Sequence, residues 1–503
     1  MTILEQLAVS EQIQALVAAL DKPGKAAALF GVHKIHRALA AAAFCKATGR
    51  PVILICESDA DAHRAAADMR QFGLLHTEAL PSRELTLLEV EGLSREEETA
   101  RLAVLGKAAR GKLDAVCCSV EALCLLTMPH DTYLKLGISL QNGSRMELRD
   151  LAAQLVGAGY TRCDRVEGRG QFAQRGGIID VFPVDRDMPC RVEFFGDEVD
   201  RIAEFDTDTQ RRTRTLDSIS VPPAREISFS GNAAEAIGTF ADKLPAGPLK
   251  EAVQRDIAEL ANGIAPVCTD RYLTACYEQP ETLADYLPDA ALFLCEHTEL
   301  ETRWKNLAQR HSFDVESLAD KGLYHKSEGP FYRALSEICA ARTRVLCDVF
   351  TRSVGDTPLA AVVNLAGNAV PRWNGEMAVL AEDLRGYLHA GYRCAVLGGT
   401  ERAVKALCDD LNAQGVDAQI TNGGLAPAGR VAVFEGSLSS GFEIGPLHMV
   451  VLSSGGENKQ KKPSAATAKR RAANAFGSLE DLKPGTTWCT ATTASPCLTA
   501  STA

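Results

Sequence analysis

Val52-Ile53-Leu54-Ile55-Cys56 is apolar at every position, with no alternation of polar and apolar residues. A strand of that composition needs cover on both faces, which is the pattern of a parallel sheet flanked by helices and not of a half-exposed antiparallel ribbon. Apolar runs of the same kind recur at 114–119, 291–295, 394–397, 431–434 and 449–452. Helical patterns stand between several of them, at about 35–48, 120–126 and 401–414. The order strand, helix, strand predicts an α/β architecture with crossover helices. A length of 503 residues fits three to four domains of roughly 100 to 200 residues each.

The pattern changes near Gly143. A helix is predicted over 145–158, followed by short alternating strands at 177–182, 190–195 and 200–205, with turn-like Pro183-Val184-Asp185 and Gly196-Asp197-Glu198 between them. This reads as an α+β insert at 143–226 in a first α/β domain made of 1–142 and 227–335. A small α/β domain is expected at 336–455, then a basic linker at 456–475. At the start of the chain, one amphipathic helix is predicted from Glu5 to Leu20.

Charge and cysteine usage narrow the class further. The net charge is −11, which argues against a surface that coats nucleic acid. Six of the basic residues lie between Lys459 and Arg471, a stretch that could give weak, salt-dependent nucleic-acid binding or simply be a solvated linker. The 16 cysteines include no C-x-x-C pair and no histidine at zinc-finger spacing, so free thiols in a reducing compartment are expected. No apolar run spans a membrane, and residues 1–14 lack a secretory pattern, which places the chain in the cytoplasm.

Catalytic arrangements are missing from the sequence. No G-x-x-x-x-G-K-[ST] phosphate cradle is present; Leu29-Phe30-Gly31-Val32-His33-Lys34 follows the first strand instead. Cys295 stands where an ATPase would place an aspartate to orient magnesium. His33 and His36 are spaced i, i+3 without a carboxylate and read as a solvated helix face. No catalytic residue, cofactor or metal is expected.

Residues 168–226 are the most informative. Between Arg145 and Glu226 there are 13 arginines, no lysine, and 16 acidic residues. Arginine without lysine suits a protein interface, because its planar guanidinium pairs bidentately and stacks; a salt-bridged surface with a coding bias gives the same count. On the 190–195 strand, alternation puts Arg191, Glu193 and Phe195 on one face and Val192 and Phe194 on the other. Pattern alone leaves Phe195 either exposed beside Arg191 or folded under the turn.

The segment Arg169-Gly170-Gln171-Phe172-Ala173-Gln174-Arg175-Gly176-Gly177-Ile178-Ile179-Asp180-Val181-Phe182-Pro183, then Arg191-Val192-Glu193-Phe194-Phe195-Gly196-Asp197-Glu198, then Phe205-Asp206 and Pro222-Pro223-Ala224-Arg225-Glu226, resembles the domain shared by bacterial transcription-repair coupling factors and the excinuclease component UvrB. Upstream, Leu80-Pro81-Ser82-Arg83-Glu84-Leu85 also resembles the coupling factors, and the order of units is similar over about 1–485. The resemblance implies a degenerate helicase-like parallel-sheet domain carrying an inserted domain that docks onto the excinuclease component UvrA. By motif position, the implied contacts are Arg175, Arg191 and Phe195. RNA polymerase and DNA would be met only through domains that this chain lacks, including an ATP-driven translocase.

Residues 476–485 resemble the lead into the family's polymerase-interacting domain, but Thr486-Thr487-Trp488-Cys489 departs from it. Shifted by one nucleotide, those codons can encode the family's continuation, so 486–503 is expected to be an out-of-frame, disordered tail. The sequence therefore predicts a non-catalytic adaptor for transcription-coupled repair. The alternatives are a nucleic-acid-binding protein using the basic linker and a non-functional remnant.

Overall fold

The computed structural model describes residues 1–88, 94–229, 231, 233–261, 265–340, 342–350, 357–373 and 375–453. The expected linker at 456–475, the segment 476–485 and the tail 486–503 lie outside the described residues, as do Lys459 to Arg471.

The chain begins with two helices, Ile3–Ala8 and Glu11–Ala19, and not with the single one expected. Ser10 separates them: its backbone is extended, and its hydroxyl accepts a hydrogen bond from the Ile13 amide, which starts the second helix. A capping serine of this kind contributes about 1 kcal/mol. Ser10→Ala is expected to lower stability by about that amount, read as a shift in the urea midpoint.

The first half of a parallel sheet follows: β1 (Ala26–Phe30), β2 (Val52–Cys56), β3 (Thr77–Leu80) and β4 (Ala115–Ser119). The chain then enters the insert through β5 (Ile138–Gln141). The insert continues with β6 (Thr161–Arg162), β7 (Gln171–Arg175), β8 (Ile178–Val181), β9 (Cys190–Phe195), β10 (Glu198–Phe205) and β11 (Arg212–Leu216). It leaves through β12 (Ser218–Val221), which pairs antiparallel with β5. Entry and exit therefore run side by side, and the insert starts at β5, a few residues ahead of the expected 143.

The first sheet is completed by β13 (Ala291–Cys295), β14 (Arg344–Asp348) and β15 (Leu359–Asn364), giving seven strands in the order β15-β1-β14-β13-β2-β4-β3. Each neighbouring pair in it is parallel. The expected domain boundary at 335/336 thus falls ahead of two strands that belong to this sheet, and the change of sheet comes after Asn364. Short apolar runs alone could not assign β14 to either sheet.

A second sheet contains β16 (Gly367–Val370), β17 (Arg393–Leu397), β18 (Ala418–Ile420), β19 (Val431–Phe434), β20 (Gly441–Ile444) and β21 (Met449–Ser453), in the order β16-β20-β21-β17-β19-β18. Its β17, β18, β19 and β21 run parallel, and β20 is antiparallel to both neighbours.

Both faces of β2 are covered, as its composition requires. Ile53 and Ile55 point into one apolar core, while Val52, Leu54 and Cys56 point into another. The second core is built against the alanine-rich helix Lys34–Thr48, where Ala40 to Ala43 are fully buried and their small side chains let the layers approach closely. It also takes in Leu397, Phe434 and Phe442, which seats the second sheet on the first. Among the described residues no helix is long and apolar enough to cross a membrane.

Candidate docking face on the inserted sheet

The insert's six strands lie in the order β11-β10-β9-β8-β7-β6. Pleating sends Phe172, Ile179, Val181, Val192, Val199 and Ile202 inward, where they join the larger core of the first domain. The opposite face carries Ala173, Asp180, Arg191 and Ala203 in one cross-strand row, with Ile178, Glu193 and Arg201 in the next. Its base is a small apolar cluster of Val166, Ala173, Phe182 and Phe205.

Arg191 is anchored on that base. Its Nε and Nη2 donate to the two carboxylate oxygens of Asp180 at 2.7 and 2.8 Å, and its Nη2 also donates to the Gln210 side chain at 3.2 Å. The guanidinium carbon stands 4.6 Å from the centre of the Phe205 ring. The Asp180 hydrogen bond raises the Arg191 pKa above its ordinary value, against the burial that lowers it. Gln210 itself sits at φ 60°, so the same contact fixes a left-handed turn between β10 and β11.

The sequence placed Arg191 and Phe195 together on one strand face. They do share it, but four residues of extended chain separate them by about 13 Å. Of the two positions open to Phe195, the structure shows the exposed one: the ring ends β9 with 84% of its surface free. Its neighbour Phe194 packs inward instead.

Arg175 ends β7 at the tip of the next hairpin but one, where its Nε and Nη2 donate to the Asp164 carbonyl at 3.1 and 2.6 Å. The two tips are adjacent, because the Phe194 amide donates to the Gly177 carbonyl at 2.8 Å. Arg175 and Phe195 therefore stand at one end of the sheet, and Arg191 lies deeper on the same face. An ion pair between Glu193 and Arg212 stands beside them. Arg201 and Arg214 are exposed.

The exit from the insert is clamped to the first domain by buried charges that spacing alone did not single out. Glu226 accepts from Arg101 Nε at 2.8 Å and from Arg83 Nε at 3.1 Å. Arg83 also holds Asp270 through both terminal nitrogens, at 2.8 and 2.7 Å. The Glu226 amide donates to Glu98. Burial raises the Glu226 pKa, but Arg101 and Arg83 overcome it and bring it down to about 2. The motifs Leu80-Pro81-Ser82-Arg83 and Pro222-Pro223-Ala224-Arg225-Glu226 meet here, so they serve the clamp and not the exposed face.

At the end of β1, the protein's own side chains fill the strand-to-helix junction. Arg37 Nε donates to the Val32 carbonyl at 3.0 Å, and its terminal nitrogens pair with Glu57 and Glu296. A Cβ on Gly31 would lie 2.6 Å from Asn364 Oδ1, so glycine is needed for close approach. His36 is not on a solvated face as its spacing suggested: it is fully buried, with Nε2 3.0 Å from the Glu443 carbonyl, and burial lowers its pKa to about 4. Among the described residues no group of three or more His, Cys, Asp or Glu side chains is placed to hold a metal ion.

Residues 138–227 match the family model described as the UvrB interaction domain. The match begins with β5 and ends at the Glu226 clamp, so it covers the whole insert. Over 463 residues the chain is 29% identical to a transcription-repair-coupling factor of Bacillus subtilis (strain 168), covering 88% of this chain. Over most of its length the chain is similar to the transcription-repair-coupling factors. The protein of that name from Staphylococcus haemolyticus (strain JCSC1435) is 25% identical over 453 residues, and that from Staphylococcus aureus (strain MRSA252) is 22% identical over 459, each covering 87% of the chain. The chain spans 38–39% of the length of these relatives.

Proposed function

We propose that this chain acts in transcription-coupled nucleotide excision repair as the part of a coupling factor that recruits the excinuclease component UvrA, with the outer face of the inserted sheet as the docking surface. The observation that carries this reading is Phe195, an aromatic side chain 84% exposed at a hairpin tip beside Arg175, within the UvrB interaction domain. Phe195 is the most exposed of the large hydrophobic side chains among the described residues, and aromatic and arginine side chains dominate the energetics of interfaces. Arg175 and Phe195 touch the partner in this reading. Arg191 holds the strand face, Asp180 and the Gln210 turn in place beneath them. The exposed arginines on β10 and β11 favour an acidic surface on the partner.

No step of catalysis is assigned to these residues. The translocase activity and the RNA polymerase and DNA contacts implied by the family resemblance are proposed for other parts of the relatives' length. A titration of the chain against purified UvrA tests the reading. Saturable binding that Arg175→Glu weakens at least about tenfold, and more at low salt than at high, is the expected result. Absence of binding by the unsubstituted chain overturns it.

A further inference from the structure

Cys56 ends β2 and Cys295 ends β13, and the two strands are parallel neighbours with Ile55 opposite Leu294. The next register position therefore sets Cys56 beside Cys295, with both side chains on the same face of the sheet and in the same core. Neighbouring strands lie about 4.8 Å apart, inside the span of about 4.4–6.8 Å that a disulfide bridges between Cα atoms.

Two further features set this pair apart from the other buried thiols. A cavity of about 40 Å³ is lined by both sulfur-bearing residues together with Lys34, Arg37, Glu57 and Ser439. That volume admits a molecule of two oxygen atoms, since one water needs about 10–15 Å³ of such space. Cys347 pairs with Cys295 on its other side, and Cys117 lies beyond β2, but neither lines the cavity. The neighbouring Cys56 thiol and the charge of Arg37 pull the Cys295 thiol below its ordinary pKa, against the burial that raises it. Cys56 is pushed well up by the neighbouring Cys295 sulfur and by burial. Arg37, which lines the same cavity, acts on Cys295, and its charge marks Cys295 as the thiolate that attacks and Cys56 as the thiol that follows.

We propose that Cys56 and Cys295 form a redox pair that hydrogen peroxide, entering the cavity they line, converts into a disulfide between β2 and β13. The Cys295 thiolate attacks one peroxide oxygen, forming an S–O bond and breaking the O–O bond; the departing hydroxide takes a proton and leaves as water. The Cys56 sulfur, losing its proton, attacks the resulting sulfenic acid, forming the S–S bond and breaking the S–O bond. The hydroxide released there takes up a proton, so a second water completes the balance, with two thiols oxidised and one peroxide reduced. The bond closes a loop that contains the entire insert, which ties together the strand ends between which Arg37 bridges Glu57 and Glu296. This inference is independent of the docking reading.

The test treats the full chain with a small excess of hydrogen peroxide, blocks remaining thiols with iodoacetamide and maps the peptides by mass spectrometry without reduction. The expected result is a Cys56–Cys295 linked peptide, lighter by two hydrogens than its parts, and a melting midpoint several degrees higher that dithiothreitol reverses. In Cys56→Ser, unfolding the peroxide-treated chain in urea with dimedone present should trap a sulfenic acid at Cys295. No linked peptide from the folded unsubstituted chain, or a linkage to Cys117 or Cys347 in its place, overturns the proposal. Because that readout comes from the unsubstituted chain, it holds even where a variant folds poorly.

Discussion

Arg101→Ala lowers the folding stability by about 3–5 kcal/mol, the largest loss expected of any single substitution at the insert's base. The Arg101 side chain is fully buried, donates to Glu226 and also gives its Nη1 to the Pro81 carbonyl at 2.8 Å. Removing it leaves the Glu226 carboxylate, itself 1% exposed, with Arg83 as its one remaining ion-pair partner among the described residues. A buried charge that loses half its compensation costs more than the contact itself was worth, because no water replaces the lost donor. Urea unfolding measures the loss. A change below about 1 kcal/mol would mean that Arg83 alone satisfies Glu226.

The same cluster sets a pH dependence. The Glu226 pKa falls from 4.5 in the unfolded chain to about 2 in the folded one. A depressed carboxylate contributes stability that is complete above pH 4.5 and is lost as pH falls through 2. Glu328 acts in the opposite sense at higher pH. Its pKa is raised by burial to about 7, so its neutral form favours folding and that contribution declines as pH rises from 4.5 through 7. In Arg101→Ala the acid-side slope should flatten, since Arg101 is the first of the charges that lower Glu226.

The sequence showed the layers of the first domain because β2, β4 and β13 are buried on both faces, and burial on both faces leaves an unbroken apolar run. It did not show β14, Arg344–Asp348, where only three apolar residues stand between charged ends and whose partner β1 lies 318 positions earlier (344 − 26). Parallel pairing is a long-range fact with no local signal. The exposed strand β11 was missed for the opposite reason: Arg212-Thr213-Arg214-Thr215 has no apolar alternation, since it is an edge strand that packs little.

Of the docking residues, Phe195 was legible as a position on the outer face, because Val192 and Phe194 claim the inner face of a strand with period two. Whether its ring stood free or folded under the turn was not, since Gly196 at φ 66° sets the hairpin and a tight turn can fold a side chain either way. Arg191 was legible as a residue of that face and not as an anchored one. The pairing that commits it, Asp180 opposite Arg191, comes from the register of β8 against β9. The clamp was visible only as conspicuous motifs, because Arg83, Arg101, Glu226 and Asp270 come from four distant segments and only the fold brings their charges together.

The anchoring of Arg191 yields the second large prediction, a split between two residues on one strand face. Phe195→Ala should weaken binding of UvrA about 30-fold or more, equivalent to about 2 kcal/mol, because an exposed aromatic at the centre of an interface is the kind of side chain that carries its energy. Its melting midpoint should not fall, since the ring packs on little in the free chain. Arg191→Ala should weaken binding too, but with a stability loss of about 1–3 kcal/mol, because Asp180 is left buried without its bidentate partner. Arg191→Lys should restore only part of both, as an ammonium cannot span two carboxylate oxygens and the Gln210 side chain at once. Calorimetric titration and thermal melts of the same protein samples separate the two effects. If Phe195→Ala binds as tightly as the unsubstituted chain while Arg191→Ala does not, the docking surface centres on the Asp180–Gln210 side of the sheet and not on the hairpin tips.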